Sequence, residues 1–138
     1  MIQGGFVLDA SIAVSWAFDD EDLPAADRAS DLLLDGFALV PPLWHVELAN
    51  ALALGLRRDR IDAAGIHDFL GAIDRLDIRT EGVPPDAGRL AMAAVENDLS
   101  AYDATYLILA LDRGLPLATG DMKLARAAEA AGVELLTG

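Results

Sequence analysis

The segment Phe6-Val7-Leu8-Asp9-Ala10-Ser11 decides the fold, because a short apolar run ends in an acid just before a helical pattern begins. Consecutive apolar residues without alternation are typical of a strand that is buried on both faces of a parallel sheet. Residues 12–18 then predict a helix. The chain therefore opens with a strand, an acid and a helix.

The same alternation of strand and helix continues to the end of the sequence. Further helices are predicted over residues 24–34, 43–58, 63–76, 86–97, 102–113 and 122–131, and strands over 37–40, 115–118 and 133–136, with a short one around Ile78. This order predicts an α/β fold with a parallel sheet covered on both faces. We expect residues 1–138 to form one domain, since neither a linker nor an internal repeat interrupts them.

Composition excludes several classes of protein. The 138 residues include 23 Asp and Glu, 10 Lys and Arg and no Cys, so the formal net charge is −13, and 54% of the residues are hydrophobic. A disordered acidic tail lacks that many apolar residues. Disulfide scaffolds and thiolate metal sites need Cys, and a generally basic nucleic-acid binder needs the opposite charge. No leader peptide or membrane span is expected, which predicts a cytoplasmic protein.

Four acids are expected to converge at one edge of this sheet, because sites in open α/β sheets form at the carboxyl ends of the strands. Asp9 follows the first strand, and Asp121 follows the strand at 115–118. Glu47 lies about one turn into the helix after the second strand. Asp103 lies at the start of the helix at 102–113.

Each acid taken alone also has a structural interpretation. Asp9 and Asp121 fit helix N-caps, and Asp103 fits a capping box with Ser100. Glu47 is harder to explain in this way, because its helix is apolar nearly all round and is expected to be buried. Asn50 is the polar neighbour on its face. An unpaired buried carboxylate is costly, and a cation would offset that cost.

A chain that offers only oxygen ligands favours Mg²⁺ or Mn²⁺. Such an ion at a carboxylate cluster suggests hydrolysis of a phosphodiester by one or two metals through an activated water. His45 and His67 lie on separate predicted helices without matching spacing, so we do not expect them to be ligands.

Four segments together resemble the PIN domain, and more narrowly the VapC-type ribonuclease toxins of bacterial toxin–antitoxin pairs. They are residues 6–11, 41–50, 102–104 and 117–124, in that order, and the resemblance extends over essentially the whole chain.

The resemblance implies a three-layer α/β/α fold and a metal-dependent endoribonuclease. By motif, Asp9, Glu47, Asp103 and Asp121 would bind Mg²⁺ or Mn²⁺, and the metal would activate the water that cuts RNA. Ser11 and Thr119 match the hydroxyl positions beside the first and last acids. A cognate VapB-like antitoxin and a homodimer are the expected partners, and the surplus of apolar residues also suggests a partner.

Basic residues provide candidate RNA contacts at two places. Arg57 and Arg58 lie at the end of the helix at 43–58, and Lys123 follows Asp121 closely. The alternative for the arginines is favourable placement at a helix C-terminus.

Tyr102, next to Asp103, could stack on a base, although a structural role is the stronger expectation. The acidic segment 19–22 and residues 60–86 fall where the family varies.

Two other functions fit a similar arrangement of acids on this type of fold, a phosphotransfer domain and a non-catalytic interaction protein. A phosphotransfer domain of the dehalogenase type needs a second Asp two residues after the first, and Ser11 occupies that position. A non-catalytic interaction protein with this fold would be expected to lack one of the acids, and all four are present.

Overall fold

The apolar run that opens the sequence forms a central strand of the sheet, β1 (Gly5–Leu8), in a computed structural model that describes residues 5–18 and 23–137. Strand β1 pairs in parallel with β2 (Phe37–Val40) on one side and β4 (Leu117–Ala118) on the other. Strand β3 (Ile78–Thr80) pairs in parallel with β2, so the order is β3-β2-β1-β4. The predicted parallel sheet is confirmed.

The seven helices of the described residues alternate with the strands along the chain in the predicted order. Each helix begins and ends within two residues of its predicted bounds. They are α1 (Ala10–Phe18), α2 (Pro24–Leu32), α3 (Pro42–Arg57), α4 (Ala63–Asp74), α5 (Ala87–Asn97), α6 (Ala101–Arg113) and α7 (Met122–Ala130). Every residue of β1 and β2 is buried, which requires cover on both faces of the sheet. The predicted α/β/α layering is therefore confirmed. None of the helices in the described ranges is long and apolar enough to cross a bilayer.

The strand predicted over residues 133–136 is wrong except at one position. Leu135 alone bridges to Leu117 in parallel. Two backbone bonds of 2.9 Å hold that bridge, one from the Leu117 N–H to the Glu134 carbonyl and one from the Leu136 N–H to the Leu117 carbonyl. Because β4 is only two residues long, it offers too short a ladder for a further strand.

The acidic segment 19–22 lies outside the described residues.

Helix α3 is not buried all round, in contrast to the sequence-based expectation. Its buried face consists of Trp44, Leu48, Leu52 and Gly55. Val46 on another face is 65% exposed. The reason is that α3 packs against α1 on one side and leaves an apolar face in solvent. Hydropathy alone does not distinguish these two faces.

Parallel topology brings the ends of several elements to one edge of the sheet. The carboxyl ends of β1, β2 and β4 meet there, since all three strands run in the same direction. Helix α6 packs on β1 and leads into β4, so it begins at this edge. The residues after β1 and β4 and the first turns of α3 and α6 therefore surround one place.

Candidate metal centre

The Asp9 carboxylate is fixed by two hydroxyl groups at the end of β1. Its oxygen Oδ2 accepts a hydrogen bond from Ser11 Oγ at 2.7 Å and another from Thr119 Oγ1 at 2.6 Å. Only 5% of Asp9 is exposed. Burial raises the pKa of Asp9, and the two hydroxyl bonds and a bond from the Ser11 backbone lower it in part. Oδ1 is left free of both hydroxyls.

The two hydroxyls are themselves oriented by the turn after β4. Ser11 Oγ accepts the Gly120 N–H at 2.9 Å, and Thr119 Oγ1 accepts the Asp121 N–H at 3.0 Å. Each hydroxyl proton is thereby directed towards Asp9. A Cβ at Gly120 would lie 2.9 Å from Leu23 Cδ1, so a larger residue there would require the Leu23 side chain to move.

Asp121 caps α7, as its structural interpretation predicts. Its Oδ1 accepts the backbone N–H groups of Lys123 at 2.9 Å and Leu124 at 3.3 Å. The cap orients the half-buried carboxylate at the sheet edge, because one of its oxygens is held by the helix. Capping and a place in the acid cluster are therefore compatible.

Asp103 lies in the first turn of α6, where its N–H donates to the N-cap Ser100 Oγ at 3.1 Å. Its pKa is raised from 3.8 to about 6. Burial is the largest cause, followed by the charges of Asp121 and Asp9, a hydrogen bond with Asp121 that favours the protonated form, and the charge of Glu47. Asp103 is therefore within electrostatic reach of the other three acids.

Glu47 has a partner that the sequence analysis missed. Its Oε1 accepts a hydrogen bond of 2.6 Å from the hydroxyl of Tyr106, which is fully buried on α6. Glu47 itself is half-buried, and burial raises its pKa, with a smaller rise from the charge of Asp9. The available sequence clue was the position of Tyr106, which is three residues after Asp103 and so about one turn further along the same helix.

No basic side chain of residues 5–18 and 23–137 forms an ion pair with this cluster. The ion pairs among residues 5–18 and 23–137 join Arg79 to Asp77, Arg89 to Asp112, Arg113 to Glu81, and Lys123 to Asp98. None of them includes Asp9, Glu47, Asp103 or Asp121. Burial is the largest cause of the raised pKa values of Asp9, Glu47 and Asp103, and the charges of neighbouring acids raise them further.

The donor set fits a hard divalent cation, since every candidate ligand is a carboxylate or hydroxyl oxygen. Within the described part of the chain, however, no three His, Cys, Asp or Glu side chains are already arranged to hold an ion. Side-chain rotation would be required to close the site around a metal.

The two arginines predicted to contact RNA lie at the far end of α3 from the acids, whereas Lys123 lies next to Asp121. Arg57 is in the last turn of α3, ten residues or about 15 Å along the helix axis from Glu47. Arg58 is the C-cap residue of the same helix. Lys123 lies near Asp121 in sequence, but its Nζ is 3.6 Å from a carboxylate oxygen of Asp98. His45 bonds Thr80 Oγ1 at 2.8 Å, away from the cluster.

Comparison with known proteins assigns the family. The sequence matches the PIN domain over residues 6–130. This chain belongs to the PIN domain family. PIN domains are generally metal-dependent nucleases. Comparison with curated proteins gives no match.

The fold of this PIN domain is also similar to a solved structure, described as "Crystal structure of PAE2754 from Pyrobaculum aerophilum". The TM-score is 0.72, and the sequences are 24% identical over 96% of this chain and 90% of that chain. At this identity the likeness shows the fold alone.

The raised pKa of Asp103 predicts how the metal-free protein responds to pH. The folded state binds more protons than the unfolded state between about pH 4 and pH 6, so the free energy of unfolding should fall as pH rises through that range. Asp103→Asn should reduce this fall and stabilise the protein at pH 7 by on the order of 1 kcal/mol, after allowance for solvent screening. Urea unfolding in EDTA at several pH values measures both effects.

Asp68→Asn is the matched control, because Asp68 is an exposed acid on α4. Its pH dependence should equal that of the wild type. Identical pH dependence in Asp103→Asn and the wild type would contradict the explanation by repulsion and burial.

Proposed function

We propose that this PIN domain is an endoribonuclease of the VapC toxin type that uses Mg²⁺ or Mn²⁺. The observation that carries the proposal is the set of four carboxylates, Asp9, Glu47, Asp103 and Asp121, at one edge of the sheet. None of them has a basic partner within the described part of the chain. The family supports a nuclease in general. The resemblance of the four sequence segments to VapC toxins supports the narrower assignment.

The side chains of the cluster have separate tasks in this proposal. Asp9 presents Oδ1, since Ser11 and Thr119 both bond Oδ2. Tyr106 holds Glu47. When bound, a divalent ion would lower the pKa of a water and offset negative charge on the scissile phosphate. Asp103 and Asp121 complete the negative field that attracts such an ion.

The two hydroxyl residues act as positioning residues and not as nucleophiles. Each hydroxyl donates its proton to Asp9 and accepts a backbone N–H, so both groups are already engaged in orienting that carboxylate. A phosphotransfer domain of the dehalogenase type is disfavoured, because Ser11 occupies the position of its second Asp. The proposal therefore assigns water as the attacking group.

Partners form the second part of the proposal. A cognate VapB-like antitoxin would hold the enzyme inactive, and two copies of the chain would form a homodimer. Exposed apolar side chains support a need for partners, namely Val46 on α3 and Met92 and Val95 on α5. The net charge of −13 favours an antitoxin segment that is basic.

Asp9→Asn should abolish metal-dependent cleavage of RNA while leaving the fold intact. The amide keeps the size of the side chain but lacks the charge that binds a cation, so the rate should fall by about two orders of magnitude or more. An RNA cleavage assay with Mg²⁺, Mn²⁺ or EDTA measures the effect, and circular dichroism checks the fold. Asp31→Asn, at an exposed acid of α2, is the control that should cleave normally. Metal-dependent cleavage that survives in Asp9→Asn would overturn the proposed site.

Tyr106→Phe should weaken metal binding through Glu47. Loss of a hydrogen bond that orients a ligand typically costs ten- to a hundredfold in metal affinity, and we expect a rise of about tenfold in the dissociation constant for Mn²⁺. Calorimetric titration measures it. Tyr102→Phe removes a hydroxyl that has no partner among the described residues, so it should leave Mn²⁺ affinity unchanged. Equal affinity in Tyr106→Phe and the wild type would show that Glu47 is not a ligand.

Light scattering of the purified chain at micromolar concentration should give twice the 14.6 kDa mass of one chain. A monomer under those conditions contradicts the homodimer.

Co-expression with the product of a neighbouring reading frame that encodes a small DNA-binding protein should suppress the RNA cleavage. Continued cleavage in the purified complex would contradict inhibition by that partner.

A further inference from the structure

Helix α7 differs in charge from the rest of this acidic chain. Its residues include two cations, Lys123 and Arg126, and one acid, Glu129, so its formal charge is +1. Each of the other six helices in the described ranges has a formal charge of zero or below, with His counted as neutral. In a chain with a net charge of −13, the helix that carries a positive charge is therefore the one that Asp121 caps.

The two cations of α7 lie on its outer face. Leu124 and Ala128 form the buried face of the helix. Lys123 and Arg126 are exposed on the opposite side, and residues three apart are neighbours on a helix surface. Arg126 forms no ion pair among residues 5–18 and 23–137. The outer face of α7 thus presents two adjacent cations to solvent.

Both cations are close to the acid cluster along the helix axis. Lys123 and Arg126 come two and five residues after Asp121. At a rise of 1.5 Å per residue, these separations are about 3 Å and about 7.5 Å. Side chains on a helix lean towards its N-terminus, so both cations extend back towards that acid. An RNA strand that left the cluster over α7 would pass them.

The contact between Lys123 and Asp98 leaves Lys123 available to another anion. The Lys123 Nζ is 3.6 Å from the Asp98 Oδ2, and the two side chains are 63% and 95% exposed. An ion pair this exposed contributes little energy, because water screens it. A phosphate can therefore displace Asp98, although the charge of that acid weakens the site.

The other basic residues are compensated by acids, stacked on a ring or distant from the cluster. Those held in ion pairs or flanked by acids of their own helix are Arg28, Arg79, Arg89 and Arg113. Those at the ends of α3 and α4 are Arg57, Arg58 and Arg75. Arg60 stacks on Phe18. Lys123 and Arg126 are therefore the cations best placed to meet an RNA backbone at the acids.

We infer that Lys123 and Arg126 bind a phosphate of the RNA backbone beside the scissile one, so that the substrate leaves the acid cluster across the outer face of α7. This inference rests on the proposed ribonuclease activity. Contacts to phosphate position a nucleic acid but carry no information about its bases. The two cations therefore fix the path of the backbone, and any sequence preference is left to other groups.

Steady-state cleavage of a short RNA at several salt concentrations tests the inference. Arg126→Ala should raise KM by about fivefold with little change in kcat, because a contact to a non-reacting phosphate is equally strong in the ground state and the transition state. The slope of log KM against log salt concentration should fall by about 0.7, since one phosphate contact is lost. Arg126→Lys keeps the charge and should restore most of both values.

Arg75→Ala is the matched control, because it removes the same charge from an exposed arginine elsewhere. Arg75 is the C-cap of α4, just before β3, and so lies at the amino ends of the strands. Its KM and salt slope should equal those of the wild type. Equal KM in Arg126→Ala and the wild type overturns the inference. An equal rise in Arg75→Ala also overturns it, since the effect would then be one of net charge.

Asp98→Asn tests the share of Lys123 through a change of opposite sign. The amide removes the charge beside Lys123, and Asn tolerates the positive φ of 52° at this position. We expect KM to fall by about twofold, because Lys123 then has no competing acid. An unchanged or raised KM would overturn the assignment of Lys123.

A binding measurement separates this inference from the proposed function. In fluorescence anisotropy of a labelled RNA, with Ca²⁺ in place of Mg²⁺, the wild type and Arg126→Lys should bind more tightly than Arg126→Ala. Such a difference, without cleavage by the wild type in Mg²⁺ or Mn²⁺, would overturn the nuclease and leave the phosphate site. Cleavage by the wild type with equal binding by all three proteins would do the reverse. A change from dimer to monomer in Arg126→Ala by light scattering would assign Arg126 to a protein interface instead.

Discussion

The hydrogen bonds from Ser11 and Thr119 to one oxygen of Asp9 are the interaction on which the site depends. Asp9 is buried at the end of a central strand, where removing a carboxylate from water is costly. The two hydroxyls offset part of that cost, and their geometry fixes which oxygen remains for a ligand. The bond from Thr119 joins residues 110 positions apart in sequence, so the acid is fully fixed only when the sheet has formed.

Repulsion among the acids is the cost of this arrangement. The pKa of Asp103 rises to about 6 because burial and three neighbouring carboxylates all disfavour its charge. A protein that needed only stability would place a basic residue there, and no ion pair in the described part of the chain does so. Functional sites commonly carry such unfavourable interactions, which the rest of the fold must offset. Here the buried parallel strands, covered on both faces, provide the compensating stability.

The strong negative charge and a nuclease function are compatible on this view. Four of the 23 acids form the proposed site, where a divalent cation would convert a repulsive surface into one that attracts phosphate. The remaining surplus opposes loose binding to nucleic acid at other surfaces.

The sequence by itself determined the parallel α/β fold and the convergence of Asp9, Glu47, Asp103 and Asp121, because both follow from local hydropathy and from the rule that parallel strands end at one edge. It also placed Ser11 and Thr119 beside the acids through motif resemblance. Only the tertiary structure decided that Tyr106 bonds Glu47, that α3 exposes one apolar face, and that Arg57 and Arg58 lie far from the acids. The tertiary structure also decided that residues 133–136 contribute a single β-bridge and not the predicted strand. These features depend on contacts between distant segments and on the length of a neighbouring strand, which local pattern does not encode.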